Sequence, residues 1–499
     1  MSISSIGLRK LVVILGIPID ELDLDQTLNR LEDFVRIGRA TGKGHQVVTV
    51  NTDFLVNATQ DPENRFLLQE ADMATADGMP LVWGARLLGV PLPGRVAGAD
   101  FVPLLVERAA QKGYSIYLLG AAEGIAECAA EKMKQQHPEL IIAGINSPPK
   151  SSVYDMDPAI VKEIRSAKPD ILLVAFGNPK QEKWIGMYGS QLGVPVMIGV
   201  GGTLDFIAGN RKRAPYWLQQ VGLEWLYRML QEPQRLWKRY LFDWFVFGIF
   251  FTRQWWKMRR GLSPYSSLPK TSSLMVGKTA IITVQGHLAI DNIDGFEGTM
   301  QKAISETSLL VVNLKEAEFL DSSAIGRLVG LANQARRTGG ELSLVAVPQP
   351  IQETLSLLNL DMFFPNYADI ETAMKENERL DQDDMGLIQI REDDLFSNEG
   401  IKWTVVRGPR RLDGGTSPKV IERLASLVPE RPFMILDLSE TACLTSAGLV
   451  GLADMNNLAK MHKGEFRVVT QSEDLSKVIK LGEFDNVLSL YEDLFSATA

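Results

Sequence analysis

From residue 11 to about residue 207, short apolar runs rich in β-branched residues alternate with amphipathic stretches of helical period, the pattern of a mainly parallel sheet joined by crossover helices. The runs Val47–Asn51, Ser115–Gly120, Leu140–Gly144, Ile171–Phe176 and Val194–Val200 predict strands, and Phe101–Lys112 and Ile125–Gln136 predict helices. Arg9-Lys10 followed by Leu11–Ile17 has the outline of a secretory signal. Its apolar run is short, however, ends in no small-residue cleavage site and runs into Asp20, Glu21 and Asp23. It is read as a buried first strand.

The pattern changes after residue 207. Tyr240–Phe251 is almost purely apolar and aromatic, about twelve residues against the roughly 20 needed to span a hydrocarbon core. The wider window Leu236–Trp256 contains Lys238, Arg239, Asp243 and Arg253, which argues against a spanning helix. With Trp237-Lys238-Arg239 before it and Arg253–Arg260 after it, the run predicts a helix lying in a membrane interface, with a core helix pair as the plainer alternative. Gly261–Ser273, rich in Ser, Pro and Gly, reads as a linker.

Beyond it the chain repeats. Leu309–Leu342 aligns with Phe433–Phe466 at a constant offset of 124, pairing Leu314 with Leu438, Ser322 with Ser446, and Gly340-Glu341 with Gly464-Glu465. The acidic run Glu376–Asp384 lies between the copies. The expected division is an α/β domain over 1–207, an appendage over 208–262, a linker over 263–275, a small α/β module over 276–375, a second linker over 376–386 and a second module over 387–499.

Composition narrows the class. Hydrophobic residues at 45%, charged residues at 23% and a mean hydropathy of −0.01 exclude a disordered, collagenous or multi-span membrane chain. Two cysteines and four histidines, far apart, are too few for a structural zinc site or a disulfide framework, so a reducing compartment is expected. Charge is unevenly placed. Residues 208–262 hold 11 Lys and Arg against 3 Asp and Glu, whereas the whole chain has 52 against 61. Six of the nine tryptophans fall in that basic segment, a combination suited to a lipid interface. Nucleic acid is disfavoured because the acidic remainder repels a polyanion.

Chemistry-bearing residues concentrate in six strings: VTVNTD (48–53), ADGMP (76–80), GRVAGAD (94–100), FGNPKQEKW (176–184), GVGGTLDFIAG (199–209) and RAPYWLQQVGLEWLYRMLQEPQR (213–235). Asp77, which follows an apolar-to-Ala stretch at a strand end or tight turn and is backed by Gly78, is a candidate base, although Asp-Gly alone is often only a turn. Thr49 and Asn51, two apart, share one face of a strand. Gln181 follows the strand Ile171–Phe176, at the carboxyl edge where such sheets bind ligands, or else is a solvated helix start. Gly120 and Gly124, and Gly201 and Gly202, follow strands and let backbone approach a nucleotide phosphate. No GxGxxG fingerprint is present, which disfavours an α/β oxidoreductase. Asp155 and Asp157 have the DxD spacing of a metal site, but Pro158 follows and a capping role is the better reading.

Taken in order, the six strings resemble the WecG/TagA/CpsF glycosyltransferases, glycosyltransferase family 26, over about residues 10–255. The resemblance implies metal-independent, inverting transfer of N-acetylmannosamine or a related hexose from a UDP-sugar to a polyprenyl-diphosphate-linked sugar, in bacterial cell-surface polysaccharide synthesis. Asp77 is then the catalytic aspartate, Thr49 and Asn51 line the site, and Gln181 contacts sugar or acceptor. Arg95, Arg213, Arg228 and Arg235 match family positions and take the place of a metal on the diphosphate. No cofactor is expected.

The repeats resemble STAS domains, the anti-sigma-factor-antagonist fold, through ITVQGHL (282–288), LLVVNL (309–314) and Asp321-Ser322-Ser323-Ala324-Ile325 at a helix start. Ser322 reads as the N-cap and, by that resemblance, as the phosphorylated serine; Ser446 is its counterpart but follows Thr445 instead of an Asp.

The expected fold is therefore α/β: a Rossmann-like, mainly parallel-sheet glycosyltransferase domain with a basic, aromatic helical appendage, then two small α/β STAS domains. The expected protein is cytoplasmic and peripheral on the inner face of the cell membrane, with a STAS-binding kinase or anti-sigma-like protein, or a second copy of the chain, as further partners. The competing reading is a membrane-tethered partner-switching scaffold whose transferase half only senses nucleotide-sugar; an intact set of Thr49, Asp77, Gln181 and appendage arginines favours the enzyme.

Overall fold

The structure is a computed structural model and describes residues 8–149, 151–215, 218, 223–231, 233–261, 269–382, 388–390, 395–396 and 401–498. The chain opens with an antiparallel hairpin, β1 (Leu11–Ile14) and β2 (Ile17–Asp20), every residue of which is buried. Then follow α1 (Leu24–Thr41), β3 (His45–Val50), α2 (Thr52–Gln60), α3 (Pro62–Glu70), β4 (Met73–Ala76), α4 (Met79–Leu87), α5 (Gly98–Lys112), β5 (Ser115–Gly120), α6 (Ile125–Gln136), β6 (Ile141–Asn146), α7 (Ala159–Ala167), β7 (Ile171–Ala175), α8 (Lys180–Leu192), β8 (Val196–Gly199) and α9 (Thr203–Ile207).

Six strands form one parallel sheet in the order β4-β3-β8-β7-β5-β6. Helices cover both faces, because strands such as Ile171–Ala175 are apolar on every residue and bury all of them. Local signals set the helix starts. The Asp23 carboxylate accepts from the Gln26 N–H in a capping box, and Asn51 and Asp61 cap α2 and α3. All six strands present their carboxyl ends to the same edge, where Asn51, Asp77, Gly120, Gly177 and Gly201 follow in sequence.

The appendage is α10 (Glu224–Gln231) and α11 (Pro233–Gly261), a single helix of 29 residues rather than a short in-plane segment of about twelve. It is built into the protein. Phe247 and Phe251 join the core made by the hairpin, α2 and α4, and Met258 joins the core of the first repeat module. At Gly84 of α4 an added Cβ would stand 3.0 Å from the Phe251 ring, so α4 and α11 pack backbone to ring.

Each repeat module is a sheet with helices. The first has strands Asn366–Tyr367, Glu341–Val345, Leu309–Leu320, Thr279–Leu288 and Lys270–Val276, parallel except for the last. The second has Lys402–Arg407, Phe433–Asp437, Glu465–Val469 and Ser489–Tyr491 in parallel, with Gln389–Ile390 antiparallel at the edge. Two boundaries shift. Residues 270–275, expected in the linker 263–275, are paired with Ala280–Gln285 in the sheet, and helix Ile370–Gln382 runs through most of the expected linker 376–386. The remainder of both linkers, 263–268 and 383–386, lies outside the described residues.

The principal helices of the modules are α12 (Ser322–Arg337) and α13 (Ser446–Met461), which start one offset of 124 apart. The repeat extends to atomic detail. A Cβ on Gly340 would stand 2.0 Å from the Ser308 carbonyl oxygen, and one on Gly464 would stand 2.0 Å from that of Pro432. Gly340→Ala and Gly464→Ala should each destabilise their own module by about 1–3 kcal/mol, the usual cost of overpacking. Matching losses in denaturant titration are the expected outcome; a neutral result at either position contradicts the equivalence.

Candidate active site and the docked modules

A cavity of about 130 Å³ opens at the carboxyl edge of β3 and β4. Its floor is Asn51, Asp53, Asp77 and Gly78, one wall is Met79, Pro80 and Arg95, and the other is the appendage, through Glu224, Trp225, Arg239, Tyr240, Asp243 and Trp244. Asp77 is set by β4, its N–H donating to the Val50 carbonyl at 2.8 Å. Asp77 also faces Arg95: burial lowers that guanidinium's pKa, but Glu224, Asp100 and Asp77 outweigh it and raise the net value. Asn51 caps α2 with its side chain, accepting from the Phe54 N–H at 3.3 Å, and lines the cavity.

The other residues nominated from sequence sit elsewhere. Thr49 is buried and its hydroxyl donates to the Gly199 carbonyl at 3.2 Å, tying β3 to β8. Gln181 has no exposed surface; its amide oxygen accepts from the N–H groups of Gly177 and Gly201, each at 3.0 Å, and its amide nitrogen donates to Glu182. The expectation that Gln181 contacts sugar is corrected accordingly: it staples two loops of the carboxyl edge. Gly199 makes room for it, since a Cβ there would stand 2.4 Å from its amide nitrogen. Behind it the Glu182 carboxyl is pushed up to about 7 by complete burial, with bonds from Gln181 and Asn178 opposing.

Gly120, Gly124, Gly201 and Gly202 lie at the carboxyl ends of β5 and β8 and do not line this cavity. Gly120, at φ +97, is fixed by space as well, a Cβ there falling 2.7 Å from the Phe176 ring.

The arginines need a further correction. Arg95 bonds Glu224 at 2.7 Å and Asp100 at 2.9 Å, and Arg213 bonds Asp100 at 2.7 Å and approaches Glu224 at 3.7 Å. Two cations and two carboxylates form a neutral ring that holds the appendage to α5, rather than a pair of cations awaiting an anion. The side chains of Arg228 and Arg235 lie outside the described residues. Among the described residues no cluster of His, Cys, Asp and Glu could hold a metal ion, and the Asp157 carboxylate accepts from the Ala159 N–H at the start of α7.

Sequence reasoning missed Asp53, Arg239 and Asp243. The signal was present: Asp243 is the one acid in an otherwise apolar run, and burying an isolated carboxylate there is costly without a function. In the structure Asp243 is 5% exposed, and its carboxyl is raised to about 6 by burial and by Asp53, against the opposing Arg239. Burial also raises Asp53, which Arg239 approaches at 3.8 Å.

The serines of the two modules are inside the protein. Ser322 is 1% exposed and Ser446 0%. The N-cap of α12 is Asp321, whose carboxylate accepts from the Ala324 N–H at 2.8 Å, so Ser322 is the first helical residue and not the cap. The Ser322 hydroxyl lies 3.4 Å from the Val13 carbonyl of β1 and 3.4 Å from Gln254 of α11. In α13 the Thr445 side chain makes no capping bond, and the Ser446 N–H donates to the Glu63 carboxylate of α3 instead. The Ser446 hydroxyl is 2.9 Å from that of Tyr154. The docked arrangement leaves no space for a phosphoryl group on either serine.

A Rossmann-like sheet with an acidic cavity at its carboxyl edge, closed by an appended helix and flanked by two docked modules, defines a hexosyltransferase carrying two STAS domains. Residues 12–261 match the glycosyl transferase WecG/TagA/CpsF family, and the chain belongs to that family. Residues 273–373 and 395–497 match the STAS domain. The chain is similar to the N-acetylglucosaminyldiphosphoundecaprenol N-acetyl-beta-D-mannosaminyltransferase of Bacillus spizizenii, 34% identical over 229 residues that make up 45% of this chain and 86% of that protein. The enzyme of the same name from Staphylococcus aureus strain MW2 is 31% identical over 226 residues, again 45% and 86%. An anti-sigma factor antagonist from Mycobacterium paratuberculosis is 20% identical, with a TM-score of 0.21, over 22% of this chain and 94% of its own.

The raised Asp243 carboxyl has a stability consequence. An acid whose pKa is higher folded than unfolded supports the fold fully below its unfolded value and loses that support as pH rises through about 6. Asp243→Asn should therefore raise the melting temperature more at pH 8 than at pH 4. An equal shift at both contradicts the burial of that charge.

Proposed function

We propose that the protein transfers N-acetylmannosamine from its UDP-linked form to an N-acetylglucosaminyl diphosphate carried on a polyprenyl lipid, with inversion and without a metal cofactor. The observation that carries this reading is Asp77, placed at the carboxyl edge of the sheet beside Arg95 in a cavity walled by the appendage. The names of the Bacillus and Staphylococcus relatives support the donor sugar and the acceptor. The Asp77 carboxylate takes the proton of the acceptor hydroxyl as its oxygen attacks C1 of the donor sugar; the C1–O bond to the diphosphate breaks, and UDP leaves with the electron pair. Asp53, Asp77 and Asp243 make the cavity acidic, which suits sugar hydroxyls as hydrogen-bond donors. Arg239, half-exposed and held only loosely by Asp53, is the cation placed to meet the diphosphate.

The lipid-linked acceptor also explains the outer face of α11. Trp237, Leu241, Phe242, Phe245, Ile249 and Trp256 are exposed there, and Trp83 and Leu87 of α4 add to them. Such a stripe on a protein surface is an interaction site, and its neighbours Lys238 and Arg253 suit anionic headgroups. Among the described residues no helix is long and apolar enough to cross a membrane. The protein is accordingly proposed to sit on the cytoplasmic face of the membrane with α4 and α11 in the interface.

Incubation with UDP-N-acetylmannosamine and a short-chain prenyl-diphosphate N-acetylglucosamine should yield the disaccharide lipid and UDP, unaffected by EDTA. Asp77→Asn should keep UDP binding and lose about 10²–10⁴ in turnover, the usual share of a general base. Near-normal turnover by that variant refutes Asp77 as the base, and abolition by EDTA refutes metal independence. The combined Leu241→Ser, Phe242→Ser and Phe245→Ser change, confined to exposed positions, should reduce sedimentation with anionic liposomes without lowering the melting temperature; unchanged sedimentation refutes the interface.

A further inference from the structure

Among the described residues the outer edge of β1 has no partner strand, and it is buried between three parts of the chain. Side chains complete it. The Leu11 carbonyl accepts from Arg327 of α12 at 3.3 Å, and the Val13 carbonyl accepts from the Gln254 amide at 2.7 Å and faces the Ser322 hydroxyl. The Leu15 N–H donates to the Gln254 amide oxygen at 2.9 Å. Gln254 is 1% exposed and so has no water to turn to. Its helix is also the wall of the active-site cavity. Arg239 precedes Gln254 by fifteen residues, about 22 Å along a rigid helix, and Tyr240, Asp243 and Trp244 lie between them.

A glycine lets α12 come this close to β1. At Gly326 an added Cβ would stand 2.3 Å from the Leu11 carbonyl oxygen. The three atoms nearest to the added Cβ all belong to Leu11 and none to its own module. The second module docks elsewhere, on α3 and α8. There Gly414 meets the Gly186 carbonyl oxygen at 2.3 Å from the added Cβ, and Ser190 donates to the Gly414 carbonyl at 3.1 Å.

We propose that the first STAS domain is a clamp on the active-site wall: docking of its serine-bearing helix on the edge of β1 fixes Gln254, and Gln254 sets the position of α11 over the cavity. The partner that the serine face of this module reads is thus the transferase domain of its own chain. Gln254 acts as a positioning residue, not a catalytic one. The second module anchors the transferase domain through α3 and α8 and does not set α11.

The test uses the full chain. Gly326→Ala replaces a glycine by the better helix former, so α12 itself is not weakened and only the docked state is opposed. Gln254→Met keeps the volume and removes the hydrogen bonds. Backbone hydrogen exchange, measured without substrate, should speed up at Leu15 and at residues 240–244 in both variants by about tenfold or more, while Gly414→Ala leaves residues 240–244 as in the wild type. In steady-state assays KM for the lipid-linked acceptor should rise about fivefold or more in the first two variants, with kcat changed less. The kinetic arm rests on the proposed transfer reaction and the exchange arm does not, so a wild-type chain that fails to turn over counts against that reaction and leaves the clamp to be judged by exchange. Continued protection of Leu15 in Gly326→Ala overturns the clamp. So does faster exchange at Leu15 with residues 240–244 unchanged, and so does an unaltered KM in a chain that turns over.

Discussion

A buried backbone edge has to be hydrogen-bonded, and the edge of β1 is the place where this requirement shapes the whole protein. The hairpin turns at Leu15 and Gly16, leaving the Leu11 and Val13 carbonyls and the Leu15 N–H facing away from β2. Solvent does not reach them. Gln254 and Arg327, more than two hundred residues away in sequence, supply the bonds. Apolar contact follows the same route: Val13 and Met258 belong to one core with the sheet of the first STAS domain. The transferase, its appendage and the first module therefore share an interior, and α12 is buried on nearly every side because its second face is covered by β1.

Charge organises the junction at α3. Glu70 at the end of α3 pairs with Arg336 of the first module and with Arg411 of the second. Burial alone raises the pKa of such a carboxyl, but the two guanidinium groups outweigh it and lower the net value. At the start of the same helix Glu63 pairs with Lys183 and caps α13. One short helix thus receives both modules. Removing a single partner from such a cluster strands a buried charge, which makes the junction stringent about its residues. The Asp that caps α12 from within its own module is replaced, for α13, by a carboxylate from the transferase domain. The missing Asp in the second copy therefore reflects how that copy is docked.

The appendage has two faces with different tasks. Phe247 and Phe251 hold it to the transferase core, while Leu241, Phe242 and Phe245 point outward. Between them Arg239, Tyr240, Asp243 and Trp244 close a cavity whose floor comes from β3 and β4. One helix thus carries an outward apolar stripe, a wall of the cavity and a contact with the first STAS domain along a single rigid axis, without a moving hinge.

Periodicity determined five of the six strands of the parallel sheet, with Ser115–Gly120 and Ile125–Gln136 at their observed bounds, because strands buried on both faces and amphipathic helices leave strong local patterns; the short strand Met73–Ala76 escaped it. It also determined the repeat, through Gly340 and Gly464, whose need for space is local to each module. The site was legible only in part. Asn51, Asp77 and Arg95 sit in the cavity because each follows a strand or turn whose direction the sequence specifies. Thr49 and Gln181 have the same polar chemistry, yet they face inward to satisfy backbone groups of β8 and the loops beside it, a choice made by which strands are neighbours in the sheet. The neutral ring of Arg95, Arg213, Asp100 and Glu224, the burial of Ser322 and Ser446, and the bridge through Gln254 depend on contacts across one hundred to four hundred residues. No local pattern encodes which distant partner a charge or hydroxyl will meet; only tertiary packing decided that.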